Sequence, residues 1–330
     1  MDGYMIRKVN NSDLYRGLRD LWSEVFGDEP EFVDRFYETF GGDLTFGGEK
    51  TADPDADPCL ISGYVICDGD KVVSALTLYK CGCMYVPGEE SADHPADGRP
   101  VYVSYAICTD PEYRGRGFAG ALTEYVRKLV TADLGGISIV SPAEPSLGKF
   151  YADLGYREGF LINEEICGTE NTDQEEMFDE EPEPFDPGIS VVSVNSAMYN
   201  KYRESFLSDT IHVSLCSEMI EAIRHCSYEG SGLLVINSGD AIAAVSEAVG
   251  DGPDTAAEGG PPGLMVAELL VNPMLRRISG EIDEEIAERL AEYYGLDRLV
   301  YRTPGESVSQ SMYAASDTTV ITGYFGFPLE

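Results

Sequence analysis

The sequence predicts an α/β protein built on a mixed sheet flanked by helices, laid down twice along the chain. Three observations lead there. Apolar runs of strand character alternate with segments of helical spacing, a glycine-rich turn joins a strand to a helix, and the second half restarts the pattern of the first.

Residues 5–9 read as a short strand, after which Asn11-Ser12-Asp13 caps an amphipathic helix carrying Leu14, Leu18, Leu21, Trp22 and Val25. Gly27 stops that helix, and residues 31–40 make a second one. Two runs rich in β-branched and aromatic residues follow, 60–67 and 72–86, split by Asp68-Gly69-Asp70, a hairpin signal. A strand over 101–109 leads into the glycine turn. The spacing then predicts a helix over 121–133, a buried strand over 137–140, a short helix over 146–154 closed by Gly155, and a last strand over 158–166.

Residues 168–188 (GTENTDQEEMFDEEPEPFDPG) are acidic, proline-bearing and poor in aliphatics, so they do not bury enough apolar surface to order themselves. We expect a first domain over 1–167, this linker, and a second domain over 189–330. In the second, helices are expected over 196–207 and 213–226, a strand pair split at Ser238-Gly239-Asp240, and a strand over 264–271. A constant shift of 162 residues lays Asn272-Pro273 on Asp110-Pro111, Arg276 on Arg114, and Thr303-Pro304 on Ser141-Pro142.

The bulk numbers fit two such units: 330 residues, 43% of them hydrophobic. A formal charge of -36 argues against nucleic-acid and anionic-membrane partners and would attract cations such as amines or basic peptides. The same charge is also read as solubility or adaptation to a salty cytoplasm. No apolar run reaches the roughly 18 residues of a membrane span, and the first ten residues show no signal-peptide core, so a cytoplasmic protein is expected. The eight cysteines form no CxxC pair and sit mostly in strand-like runs, which points to buried free thiols and no metal site. His94, His212 and His225 are scattered and are read as structural or surface residues.

Chemistry concentrates in the turn PEYRGRGFAGAL, residues 111–122. A strand that passes through glycines into a helix aims consecutive backbone N–H groups at one point, where the helix dipole also favours an anion. Arg114 and Arg116 add positive charge at the rim, so the turn suits a phosphate. A dinucleotide fold fits less well, because the next strand ends in Val140-Ser141-Pro142 without the acidic residue such folds carry there.

Arg114-Gly115-Arg116-Gly117-Phe118-Ala119 fits the R/Q-x-x-G-x-G/A signature of the GCN5-related N-acetyltransferases. About thirty residues on, Ser146-Leu147-Gly148-Lys149-Phe150-Tyr151-Ala152-Asp153-Leu154-Gly155-Tyr156 resembles that family's second signature. The resemblance covers about residues 5–167 and implies a fold of this family in the first half, with a second, degenerate copy in the other. It implies acetyl-CoA as co-substrate, its pantetheine arm along the strand at Ile107 and Thr109. The pyrophosphate would lie on the amides of Arg114, Gly115, Arg116, Gly117, Phe118, Ala119 and Gly120. Tyr151 matches the tyrosine that protonates the departing thiolate, and the acceptor would be the amine of a small molecule or peptide. Glu144 stands where family members often have asparagine. No base is assigned; Glu24 and Glu38, on the first two helices, read first as solvated helix residues. A non-catalytic acyl-CoA-binding module is the alternative from another functional class. A narrower resemblance, through Pro142-Ala143, Phe150-Tyr151 and the ending Phe327-Pro328-Leu329-Glu330, is to tandem acetyltransferases of the mycobacterial "enhanced intracellular survival" type. It implies an active first domain, a degenerate second one and a terminal carboxylate, here that of Glu330, in the active site. The oligomeric state is left open.

Overall fold

All strands of the described residues join one sheet, and the helices cover both of its faces. The computed structural model of the chain describes residues 4–40, 61–88, 98–168, 188–227, 232–247, 264–316 and 321–326. The first half runs β1 (Ile6–Lys8), α1 (Ser12–Phe26), α2 (Pro30–Thr39), β2 (Ile61–Asp68), β3 (Lys71–Tyr85), β4 (Pro100–Thr109), α3 (Phe118–Lys128), β5 (Ile137–Val140), α4 (Gly148–Asp153) and β6 (Arg157–Gly168). The second half runs β7 (Val191–Ser193), α5 (Ser196–Phe206), β8 (His212–Ser214), α6 (Ser217–Ser227), β9 (Gly232–Ile236), β10 (Ala241–Glu247), β11 (Leu264–Val271), α7 (Pro273–Arg276), α8 (Ile282–Tyr294), β12 (Arg298–Pro304) and β13 (Val308–Ala314).

Local chemistry sets several of these boundaries. The Asn11 side chain accepts hydrogen bonds from the amides of Asp13 and Leu14, and Gly27 closes α1 in the left-handed conformation at φ 80°. Helix α3 starts at Phe118, three residues before its helical spacing becomes visible, because the turn itself supplies its first residues; a π-turn over Leu129–Asp133 extends it. The single helix expected over 213–226 is corrected to β8 followed by α6. Residues 212–214 pair with the far end of β3 (Cys83↔Ser214, Tyr85↔His212), so strand pairing between the halves overrides helical spacing there. The 162-residue shift relates β4 to β11 and β5 to β12, but unequal connections displace the other elements from it.

Along the sheet the order is β1-β2-β3-β4-β5-β13-β6-β12-β11-β10-β9-β7. The list reads as two six-strand series running outward from an antiparallel central pair, β13 and β6. Each half thus receives a strand from the other: β13 lies between β5 and β6, and β6 lies between β13 and β12. One face carries α1 and α2 together with α5 and α6 over a shared core that includes Trp22, Phe36, Tyr79, Tyr199, Ile220 and Tyr313. On the opposite face α3 packs with Phe118, Leu122 and Val126 over the first half, and α8 with Ile286 and Leu290 over the second. No helix of the described residues is long and apolar enough to cross a membrane.

Cys67, Cys81, Cys108 and Cys167 are buried free thiols, and burial pushes Cys167 up to about 11. His212 is buried and structural, its Nε2 3.1 Å from the Glu204 carboxylate and its Nδ1 2.8 Å from the Thr210 carbonyl. His94, the side chain of His225, the stretch 169–187 and Glu330 lie outside the described residues.

Candidate active site

The site begins with two strands that part. β4 and β5 pair in parallel only at Val101↔Ile137, Tyr102↔Ser138 and Val103↔Ile139, whereas β4 continues to Thr109. Two residues of β4, Ala106 and Ile107, face the single residue Leu76 of β3, a β-bulge. Ala106 sits there at φ 48°, a left-handed conformation that a non-glycine residue rarely adopts. The bulge bends β4 away from β5. The edge of β4 from Ser104 onward, which holds Ile107 and Thr109, therefore has no strand beside it among the described residues.

The glycine turn caps the end of this edge. Asp110 accepts from the Glu112 amide at 2.8 Å and pairs with Lys71 at 2.6 Å, which holds its carboxyl below the usual range. Tyr113 donates to Asp68 at 2.9 Å and lies under the Arg116 guanidinium, 4.6 Å from ring centroid to Cζ. Arg114 bonds back to the Thr109 carbonyl at 3.2 Å. Gly115 and Gly117 have φ of 78° and 79° with open space where a Cβ would stand, so here glycine is demanded by backbone conformation rather than by crowding. Gly117 offers no side-chain cap, which leaves the first amides of α3 to an outside acceptor. Phe118 is turned inward against Tyr4, its ring 4.8 Å away, and only its amide belongs to the turn.

Helix α4 closes the gap. A Cβ on Gly120 would lie 3.7 Å from the Phe150 ring, so the start of α3 and the start of α4 touch, and the two sequence signatures become neighbours. Tyr151 packs with Val140 at the end of β5, with Tyr156, and with Met312 and Ala314 of β13; Ile107 of β4 borders the same cluster. The Tyr151 side chain is 7% exposed, and its hydroxyl has no hydrogen-bond partner among the described residues. Burial pushes its phenol above the usual range, so it stays protonated at neutral pH. Its neighbour Tyr156 is bonded to Ser138 at 2.8 Å and is raised to about 12, by burial first.

Glu144 is exposed and accepts from Ser146 at 3.0 Å, while Glu24 and Glu38 are exposed on their helices. Sequence reasoning missed the contribution of β13. Ser311 bonds Ser141, just past β5, at 2.7 Å, and both amide atoms of Gln310 are buried without a partner among the described residues. No local pattern links those residues to a site 170 positions earlier.

The second half repeats the geometry with other contents. β11 and β12 pair only at Met265↔Val300 and Val266↔Tyr301, and β11 carries a bulge opposite Ala244 and Val245. The position of Ala106 is taken by Glu268, fully buried, which accepts from Tyr199 at 2.8 Å and from Arg203 at 3.2 Å. Arg203, also fully buried, donates as well to the carbonyls of Val213 and Phe325, each at 3.0 Å. Asp283, Glu284 and Glu285 occupy the first turn of α8, and β12 passes directly to β13 with no helix in the place of α4.

A sheet that parts beside a glycine turn, with a tyrosine-bearing helix laid over the gap, defines an acetyltransferase-type α/β fold. Residues 5–159 match the family model of the acetyltransferase (GNAT) domain. The match covers the first half of the chain and gives that half a GNAT-type acetyltransferase domain. Among solved structures, a protein of unknown function from Enterococcus faecalis V583 is 14% identical, with 95% of this chain and 73% of that one covered and a TM-score of 0.60. A GCN5-related N-acetyltransferase from Anabaena variabilis is 11% identical, with the same coverages and a TM-score of 0.58. Eis1 from Mycobacterium abscessus is 11% identical, with 95% and 74% covered and a TM-score of 0.53. At these identities the likeness speaks for the fold. A search of curated proteins finds no match.

Proposed function

We propose that residues 1–167 form an acetyl-CoA-dependent N-acetyltransferase that acylates a primary amine of a small cationic molecule or peptide in the cytoplasm, with Tyr151 as general acid. The observation that carries this reading is the juxtaposition of a phosphate-type turn with a β4 edge and a buried tyrosine hydroxyl that are both unpaired among the described residues. In this reading the edge at Ile107 and Thr109 takes the pantetheine arm, and the amides of Arg114 to Gly120 take the pyrophosphate. The amine attacks the thioester carbonyl and sheds its surplus proton to solvent, while Tyr151 gives its proton to sulfur as the C–S bond breaks and regains one from solvent. The net charge of -36 favours a cationic acceptor. Residues 189–330 are assigned no acetyl-CoA site, since Glu268 and Arg203 fill their counterpart of the bulge and three carboxylates open α8. Their role is to complete the first half's sheet and border its acceptor side, with Gln310 and Ser311 offering polar contacts.

The test is calorimetric titration of acetyl-CoA into the full-length protein, Gly117→Glu and Gly117→Ala. One site per chain is expected, lost in Gly117→Glu and retained at reduced affinity in Gly117→Ala, which carries the backbone strain without the charge. Thiol release with a panel of amines then reads Tyr151→Phe, expected to lower kcat by about 10²–10⁴ with unchanged acetyl-CoA affinity. Binding without turnover of any amine would instead support a non-catalytic acyl-CoA module.

A further inference from the structure

The two arginines of the glycine turn point apart. Arg114 folds back along β4, its Nε donating to the Thr109 carbonyl at 3.2 Å, beside the edge assigned to the pantetheine arm. Arg116 turns the other way, toward the hairpin between β2 and β3. Its guanidinium lies over the Tyr113 ring, 4.6 Å from Cζ to the centroid, and its Nη2 donates to the Glu112 carbonyl at 3.4 Å. Tyr113 is itself fixed, because its hydroxyl donates at 2.9 Å to Asp68, the last residue of β2.

The charges around this stack leave one cation over. Lys71 lies 5.4 Å from the centroid of the same ring but is paired with Asp110 at 2.6 Å. Asp68 and Asp110 are thus engaged by Tyr113 and Lys71. In a chain with 59 acidic and 23 basic residues most cations find a carboxylate, yet Arg116 is exposed and pairs with none among the described residues. What remains is a guanidinium held in one orientation by the ring beneath it, its Nε and Nη1 unbonded among the described residues. Such a planar fork matches a phosphate, and ordering it beforehand lowers the entropy lost on binding.

Coenzyme A carries a third phosphate besides its pyrophosphate, a monoester on the ribose 3′ carbon that is close to a dianion at neutral pH. Resting on the reading of the turn as an acetyl-CoA site, we propose that Arg116 receives this 3′-phosphate and that Tyr113 and Asp68 are positioning residues which hold the guanidinium for it. The arm then runs from Thr109 past Arg114, the pyrophosphate sits on the amides, and the ribose phosphate reaches the hairpin side of the turn. At a net charge of -36 an added dianion is otherwise repelled, so a preference for the phosphorylated cofactor requires a cation fixed at this place.

The test is calorimetric titration of acetyl-CoA and of 3′-dephospho-acetyl-CoA into the full-length protein at one ionic strength. The parent is expected to bind acetyl-CoA about five- to tenfold more tightly, the range for a bidentate phosphate contact at an exposed site. Arg116→Gln is expected to equalise the two affinities or favour the dephospho form, which it should bind as the parent does. Tyr113→Leu keeps Arg116 but removes its support and should lose most of the preference. Tyr113→Phe keeps the ring without its tie to Asp68 and should retain part of it. A tyrosine that merely stabilised the turn would instead weaken both ligands together. Arg114→Gln is the contrast, expected to weaken both ligands by the same factor. Equal binding of the two ligands by the parent, or a preference that survives Arg116→Gln or Tyr113→Leu, would overturn the proposal and leave the acetyl-CoA reading standing. Failure of the parent to bind either ligand would overturn that reading, and the 3′-phosphate assignment with it.

Discussion

Glu268 and Ala106 occupy corresponding places in the two halves, and the difference between them separates a filled centre from an open one. A fully buried carboxylate persists at Glu268 because Arg203 and Tyr199 both donate to it. Arg203 in turn ties α5 to the chain at Val213 and Phe325. Breaking one side leaves an uncompensated buried charge, so Arg203→Met is expected to cost about 3–5 kcal/mol in urea unfolding. The double variant Arg203→Met, Glu268→Met should recover part of that loss, as a double-mutant cycle would show. The open centre was largely readable from the sequence because its parts are local: the turn from Arg114 to Gly120 and the helix bearing Tyr151 each fit within a dozen residues. Ala106 was not readable, since nothing in its own identity announces φ 48°; the bulge arises from how β4 pairs with β3.

Elements were legible wherever side chains alternate on one strand or stripe one helix. The hairpin at Asp68-Gly69-Asp70, strand β5 and helix α1 follow from residues lying next to one another. β8 and β13 were not legible, because their pairing partners sit in the other half. Where β13 meets β6 the approach is close. A Cβ on Gly159 would collide with the Tyr313 ring and the Ile321 carbonyl, while one on Gly148, at the start of α4, would meet nothing within 4 Å. Gly159→Ala is therefore expected to lower stability by about 1–3 kcal/mol by overpacking, and Gly148→Ala to be neutral or slightly stabilising. Thermal melts of the two variants check the contrast; equal melting points would mean that the β6 and β13 contact yields without cost.

The molecule as a whole is a palindrome of strands about the β13 and β6 pair, and the sequence shows this only in part. The restart of the pattern near residue 190 was readable, as was the correspondence from Asp110 to Pro142. The exchange of one strand between halves was not, because neither composition nor spacing says which sheet a strand will enter. A fragment of residues 1–168 lacks the strand that fills the place between β5 and β6, so it exposes two unpaired edges. Expressed alone, it is expected to aggregate or pair with another copy of itself. Supplied together with a fragment of residues 188–330, it should recover a one-to-one complex that size exclusion resolves. A monomeric, cooperatively melting 1–168 fragment would contradict this.

The exchanged strand also orders events in time. During synthesis β5 and β6 leave the ribosome long before β13, which begins at Val308, whereas β6 ends at Gly168. Tyr151 therefore gains its Met312 and Ala314 neighbours only after most of the second half has been made. The nascent first half waits unsealed until that strand is made, so the cluster around Tyr151 closes only after the second half has begun to fold.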